Sequence, residues 1–193
     1  YAKLPKIPGL PKGSPVISPY VMTNPDRPFS EGIRALRTAL DFSVCSKGQK
    51  VIMVTGIAQG VGKSLITVNL AASFAMIHKK TLLVEADIRR GSLRSRRAKG
   101  LSDVLLRGTS VPEALYSNHE CLDVLGAGMR CPNPGDLLSS DVFASFMKEM
   151  RSQYDVIVID TPPVAQCSDA LLIEHCADFS LCVLKYATHR EED

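Results

Sequence analysis

From residue 50 onward, five short runs rich in Val, Ile and Leu recur along the chain: KVIMVT, TLLVEA, LDVLGA, DVIVID and FSLCVLK. None alternates polar and apolar positions. Between them lie stretches with helical patterning: residues 64–78, the segment LSDVLLRG, residues 136–151 and SDALLIEHCAD. A strand with one wet face alternates polar and apolar residues, so runs that do not alternate are covered on both faces. Strands of that kind, separated by helices, build a parallel sheet through crossover connections. The expected fold class is therefore α/β, a mostly parallel β-sheet with helices on both faces. A chain of 193 residues, 45% of them hydrophobic, supplies the core of one such domain. One more helix is expected ahead of the first strand, because Ile33, Leu36, Leu40 and Val44 fall at helical spacing, with Ser30 or a neighbour as its cap.

The first run passes into a glycine-spaced turn, GIAQGVGKS, and then into a helix. Gly60 and Gly62 permit a tight path whose backbone N–H groups point inward. Lys63 adds a positive charge for the β and γ phosphates, and Ser64 adds a hydroxyl for Mg²⁺. Strand, turn and helix in this order predict a P-loop NTPase. The loop departs from G-x4-G-K-[ST], since five residues separate Gly56 from Gly62. Such a loop needs carboxylates for the metal, and in open α/β sheets these stand at the carboxyl ends of neighbouring strands. YDVIVIDTPP supplies Asp160 in that position. TLLVEADIRRG supplies Glu85 and Asp87, one residue apart and so able to face the same side.

Outside this constellation the chain is less directive. Seven of the twelve prolines fall between Pro5 and Pro28, and residues 1–25 carry three lysines and no acid. That excludes regular helix or central strand and predicts an extended linker, either a plain tether or a basic segment lying on an anionic membrane surface. No apolar run approaches the roughly 20 residues that cross a bilayer, nor does the start resemble a signal peptide. Six cysteines without a CxxC pair lie beside apolar residues, as in FSLCVLK, and read as buried thiols in a reducing, cytosolic compartment. A net charge of +3 argues for no nucleic acid, and the arginine-rich run RRGSLRSRRAK carries no aromatic residue to stack on bases. That run reads as a solvated loop in which Arg89 or Arg90 could reach phosphate or an acidic neighbouring subunit. His78, His119, His175 and His189 have no partners at metal-ligand spacing.

With these motifs the chain resembles the bacterial tyrosine kinases of capsule and exopolysaccharide synthesis, a branch of the deviant P-loop ATPases. The likeness runs from about Phe29 to Arg190. It rests on GIAQGVGKS, LLVEADIRRG and YDVIVIDTPP, on the connecting pieces GLSDVLLRG and LDVLGAGMRCPNPGDLLSS, and on EGIRALR with its E-x2-R-x2-R spacing. Steps of three on a helix set Glu31, Arg34 and Arg37 in one slanting charged stripe, expected opposite the apolar one. The resemblance implies that this stripe builds a ring of subunits. It implies that Gln59, Gly60, Val61, Gly62, Lys63, Ser64 and Leu65 bind ATP or ADP, that Ser64, Asp87 and Asp160 hold or orient Mg²⁺, and that Lys63, Glu85, Asp87 and Asp160 carry the catalysis. It divides the chain into a linker at 1–28, similar to a juxtamembrane stretch, and a kinase domain at 29–193.

The implied activity is ATP-dependent autophosphorylation on tyrosine between neighbouring subunits, which regulates polysaccharide assembly at the inner face of the plasma membrane. The implied partners are a transmembrane activator, fused or separate, and a cognate tyrosine phosphatase. Glu85 is a departure, as the family usually has aspartate there, and which of Glu85 and Asp87 acts as base stays open. Members also continue past CVLKYATHREE to a tail of clustered tyrosines, whereas Tyr1, Tyr20, Tyr116, Tyr154 and Tyr186 are scattered. Either the chain is truncated or the acceptor lies elsewhere. The rival reading is a MinD- or ParA-like ATPase switch. Those relatives carry an additional lysine early in the loop, where this chain has Ala58.

Overall fold

The structure, a computed structural model, describes residues 2–7, 19–43, 48, 50–91 and 98–185. Its centre is a six-stranded sheet in the order β3-β4-β2-β5-β1-β6. The four expected central and flanking runs form β1 (Val51–Gly56), β2 (Thr81–Glu85), β5 (Val156–Asp160) and β6 (Phe179–Val183). LDVLGA contributes β4 (Leu122–Leu125). All pairings among these five are parallel. Alternate residues of the inner strands feed two separate cores. Ile52, Val54, Leu83 and Val158 face one side, and Val51, Met53, Leu82, Val84, Ile157 and Ile159 face the other. This two-sided burial is why the runs of β1, β2 and β5 lack polar alternation, whereas β6, expected to be covered on both faces, is largely exposed at the sheet edge.

Helices α1 (Tyr20–Thr23), α2 (Pro28–Ser43) and α3 (Lys63–Ala75) cover the first side. Helix α2 starts on a proline, whose fixed φ suits a first turn with no amide to satisfy. Ser30 is therefore inside the helix and not its cap. It is fully buried, and its hydroxyl donates to Asn24 O at 2.6 Å. The far side is covered by α4 (Leu101–Arg107), the single turn α5 (Val111–Ala114), α6 (Pro134–Leu138), α7 (Asp141–Gln153) and α8 (Asp169–Glu174). The stretch expected as one helix over 136–151 is two, because the Ser140 side chain accepts from Phe143 N and starts α7 afresh.

Three further differences have physical causes. Residues 115–119, LYSNH, form a strand, β3 (Leu115–His119), antiparallel to β4 through a tight connection and a register irregularity. In the proline-rich stretch, Pro19 and Pro25 bracket the four-residue helix α1, so that segment is not wholly extended. Val21, completely buried, donates its amide to Asn69 Oδ1 at 2.7 Å on α3. Residues 2–7 also dock, with Ile7 buried in the core and Leu4 against Gly32, where a Cβ would lie 2.7 Å from Leu4 Cδ2. The cysteines are not buried as expected. Cys121, Cys131, Cys167 and Cys176 are half-buried and Cys182 is exposed, because β6 is an edge strand; Cys45 lies outside the described residues. No helix among the described residues is long and apolar enough to cross a membrane.

Candidate nucleotide and phosphoryl-transfer site

The site forms where β1, β2 and β5 end. Strand β1 stops at Gly56, where a Cβ would meet Val61 Cγ2 at 2.9 Å and Val183 O at 3.0 Å, so only glycine lets the loop fold back over the strand end. Gly60 (φ 72°) and Gly62 (φ 96°) then take left-handed conformations that side chains disfavour. Lys63 opens α3 directly after this turn, with no side-chain cap on the helix start. The first amides of α3, at Ser64 and Leu65, are thus left for an anion.

Lys63 is 8% exposed and turns its ammonium onto Asp160 Oδ1, 2.5 Å away. Thr67, one helical turn on, has its hydroxyl 2.9 Å from Lys63 O and 3.2 Å from the same Asp160 oxygen. Asp160 is completely buried, and its second oxygen, Oδ2, has no hydrogen-bond partner. A buried carboxylate oxygen without a donor is costly. It suits a cation, and with the half-buried Ser64 and Asp87 nearby the donor set is all oxygen, as Mg²⁺ requires.

The last residue of β2, Glu85, and Asp87 just beyond it diverge. Glu85 and Asp160 are register neighbours across β2 and β5. Glu85 nevertheless leans the other way and is sealed at 1% exposure, its Oε2 accepting from Ala127 N at 3.1 Å beyond the end of β4. Asp87 is half-buried and accepts from Arg90 N at 3.2 Å. Burial raises its carboxyl above the ordinary 3.8, Lys63 and the Arg90 amide pull it down, and the Asp160 charge pushes it up again. The net shift is upward. Asp87 also lines a cleft of about 260 Å³, with Arg89 and Arg90 on its own wall and Pro162, Pro163, Gln166 and Cys167 on the other. Burial raises the Cys167 thiol, so it is no activated nucleophile.

The cleft brings together residues that sequence spacing does not connect. Gln59 of the phosphate loop donates to Gln166 Oε1 at 2.9 Å, 107 residues away. Arg89 makes a two-pronged bond to Asp169 of its own chain, at 2.7 and 2.9 Å, and so is committed within the subunit. Residues 92–97 of the arginine-rich run lie outside the described residues. Of the E-x2-R-x2-R stripe, Arg34 pairs with Glu31 at 2.5 Å on the α2 surface. Arg37 leaves the stripe. It sits four residues after Ile33 and three before Leu40, flanking the apolar face, and its guanidinium reaches Ser73 O of α3 at 3.3 Å.

Residues 49–182 match the family model described as an AAA domain. The chain is 36% identical to the tyrosine-protein kinase YwqD of Bacillus subtilis over 176 residues, covering 89% of this chain and 74% of the relative's length. The chain belongs to the bacterial tyrosine kinase family. Within that family it is 34% identical to the tyrosine-protein kinase Wzc of Salmonella typhimurium, with 86% of this chain matched to 24% of that much longer protein. The solved BceF tyrosine kinase domain superposes with a TM-score of 0.82 at 36% identity, over 90% of this chain and 72% of that one. A MinD protein of Pyrococcus horikoshii, solved with Mg-ADP, shares the fold at a TM-score of 0.57 and 21% identity, over 69% of this chain and 57% of that one.

Proposed function

We propose that this protein is an ATP-dependent protein tyrosine autokinase, passing the γ phosphate of ATP to tyrosines of a neighbouring subunit in the control of exopolysaccharide or capsule synthesis and export. The observation that carries this reading is the buried Asp160. One of its oxygens is neutralised by Lys63 and the other lacks a donor, at the foot of a loop whose glycines open their backbone to phosphate. Lys63 is held by Asp160 where the loop begins α3, ready to exchange that carboxylate for the terminal phosphates of ATP. The amides of residues 59 to 65 supply the remaining donors. Ser64, Asp87 and Asp160 would hold Mg²⁺, which supplies positive charge against the β and γ oxygens.

Of the two acids at the end of β2, Glu85 and Asp87, Asp87 alone lines the cleft, so it is the carboxylate an incoming tyrosine hydroxyl would meet. Glu85 serves the Ala127 amide instead. The family relationship to proteins named tyrosine-protein kinases supports tyrosine over water as acceptor. A ring of subunits joined through Glu31, Arg34 and Arg37, a transmembrane activator, a cognate phosphatase and a position at the inner membrane face belong to the same reading.

Incubation with MgATP and a tyrosine-rich peptide, followed by quantification of phosphotyrosine, tests it with Lys63→Met as the blank. Phosphotyrosine that requires both Mg²⁺ and Lys63 is the expected result. Product of equal size in the Lys63 variant would refute the assignment.

A further inference from the structure

The cleft beside Asp87 has two walls drawn from distant parts of the chain. One is the turn that follows β2, closed by Arg90 N and Gly91 N donating to Asp87 O at 3.3 and 2.8 Å. The other is the segment after β5, where Pro162 and Pro163 are buried. That second wall is fastened to β1: Val164 N donates to Gly56 O at 3.0 Å and the Thr55 hydroxyl to Pro162 O at 3.2 Å. Arg89 then ties the first wall to Asp169, which follows the second wall in the chain. Its Nε donates to Asp169 Oδ2 at 2.7 Å and its Nη2 to Asp169 Oδ1 at 2.9 Å. Asp169 is completely buried at the start of α8, whereas the arginine side chain is 45% exposed. A fork bonded to both oxygens of a buried carboxylate fixes distance and plane together, which a single-point ammonium cannot do.

We propose that the Arg89–Asp169 pair is a positioning device for the acceptor. It sets the spacing between the turn carrying Asp87 and the proline wall, so that the cleft admits a flat phenol ring and delivers its hydroxyl to Asp87. Pro162 and Pro163 line one side of the cleft and Arg89 and Arg90 the other, and apolar rings opposite planar guanidinium groups are a pairing suited to an aromatic ring. Arg89 therefore acts through Asp169 on the acceptor side of the reaction and leaves the phosphate loop to Lys63. This assignment rests on the reading of the protein as a tyrosine kinase.

The test uses the full chain with MgATP and a tyrosine-rich peptide, and measures KM for each substrate together with phosphotyrosine and free phosphate. Arg89→Lys keeps the charge opposite Asp169 but loses the fork; Asp169→Asn keeps the shape and loses the charge. Arg89→Lys is expected to raise the peptide KM about tenfold, the scale of one lost hydrogen bond to a charged group. The KM for ATP stays at the parent value, and the ratio of phosphotyrosine to free phosphate falls. Asp169→Asn, if it folds, shifts the same two quantities in the same direction; if it does not fold, Arg89→Lys decides alone. An equal rise in both KM values would make Arg89 a nucleotide ligand and overturn the proposal. An unchanged peptide KM and product ratio in Arg89→Lys would overturn it as well. Parent protein that makes free phosphate and no phosphotyrosine would remove the kinase reading itself, an outcome separate from these.

Discussion

Asp160 carries two obligations at once, since its buried charge needs Lys63 and its second oxygen needs a cation. Lys63→Met removes a partner from a buried ion pair, which costs about 3–5 kcal/mol when the remaining charge is left uncompensated. The variant is expected to melt earlier in calorimetry as well as to lose phosphotyrosine. Asp87 behaves oppositely. Its carboxyl is raised chiefly by burial, so between 3.8 and its higher folded value the folded chain binds more protons than the unfolded one, and stability falls as pH rises. The ionised side chain is then a standing cost at neutral pH. Asp87→Asn should raise the unfolding temperature at pH 7 without Mg²⁺, lose that advantage below pH 3.8, and reduce transfer about a hundredfold. For Glu85, glutamine retains an acceptor for Ala127 N, so Glu85→Gln should keep most of the transfer rate. Glu85→Ala strands a buried amide at about 1–3 kcal/mol and should lower the melting temperature. A rate lost equally in both would restore Glu85 as a reacting group. That Lys63, Asp87 and Asp160 come together at adjoining strand ends was legible because loop and strand-end chemistry is local in sequence. The Glu85 orientation was not, because it is set by an amide 42 residues away, beyond the end of β4.

At the scale of elements, Asp178 joins the starts of two strands to a helix. Its carboxylate accepts from Lys50 N and Val51 N at 2.8 and 2.9 Å, and Arg151 of α7 donates to both of its oxygens at 2.8 and 3.0 Å. Burial by itself would raise the Asp178 carboxyl; Arg151 and the two amides outweigh it and hold it below 3.8. The stability it contributes is present above 3.8 and lost as pH falls through the lower folded value. Asp178→Ala should cost about 1–3 kcal/mol at pH 7 in denaturant titrations, shrinking toward zero in strong acid. Strands β1, β2 and β5 were readable because burial on both faces leaves a continuous apolar run. Strand β3 was not, since LYSNH contains no β-branched residue and its place at the sheet edge depends on pairing with β4. The bonds Arg89–Asp169 and Gln59–Gln166 join positions 80 and 107 residues apart, beyond any local pattern.

For the whole molecule, residues 2–7 and α1 dock against α2 and α3, and α2 presents Glu31 and Arg34 to solvent. Arg34→Ala should therefore reduce oligomer size in light scattering and leave the unfolding free energy within about 0.5 kcal/mol of the parent's, as surface ion pairs contribute little. Arg37→Ala should lower both, because that guanidinium also ties α2 to Ser73 O of α3. An unchanged oligomer size in the double alanine variant would contradict the ring. The central claim, that this fold spends ATP on tyrosine and not on water, is tested most directly by following the γ phosphate from labelled ATP in the presence of Mg²⁺ and a tyrosine-rich acceptor. Label recovered chiefly on tyrosine, and absent with Lys63→Met, is the predicted result; label recovered only as free phosphate would contradict it and identify an ATPase switch.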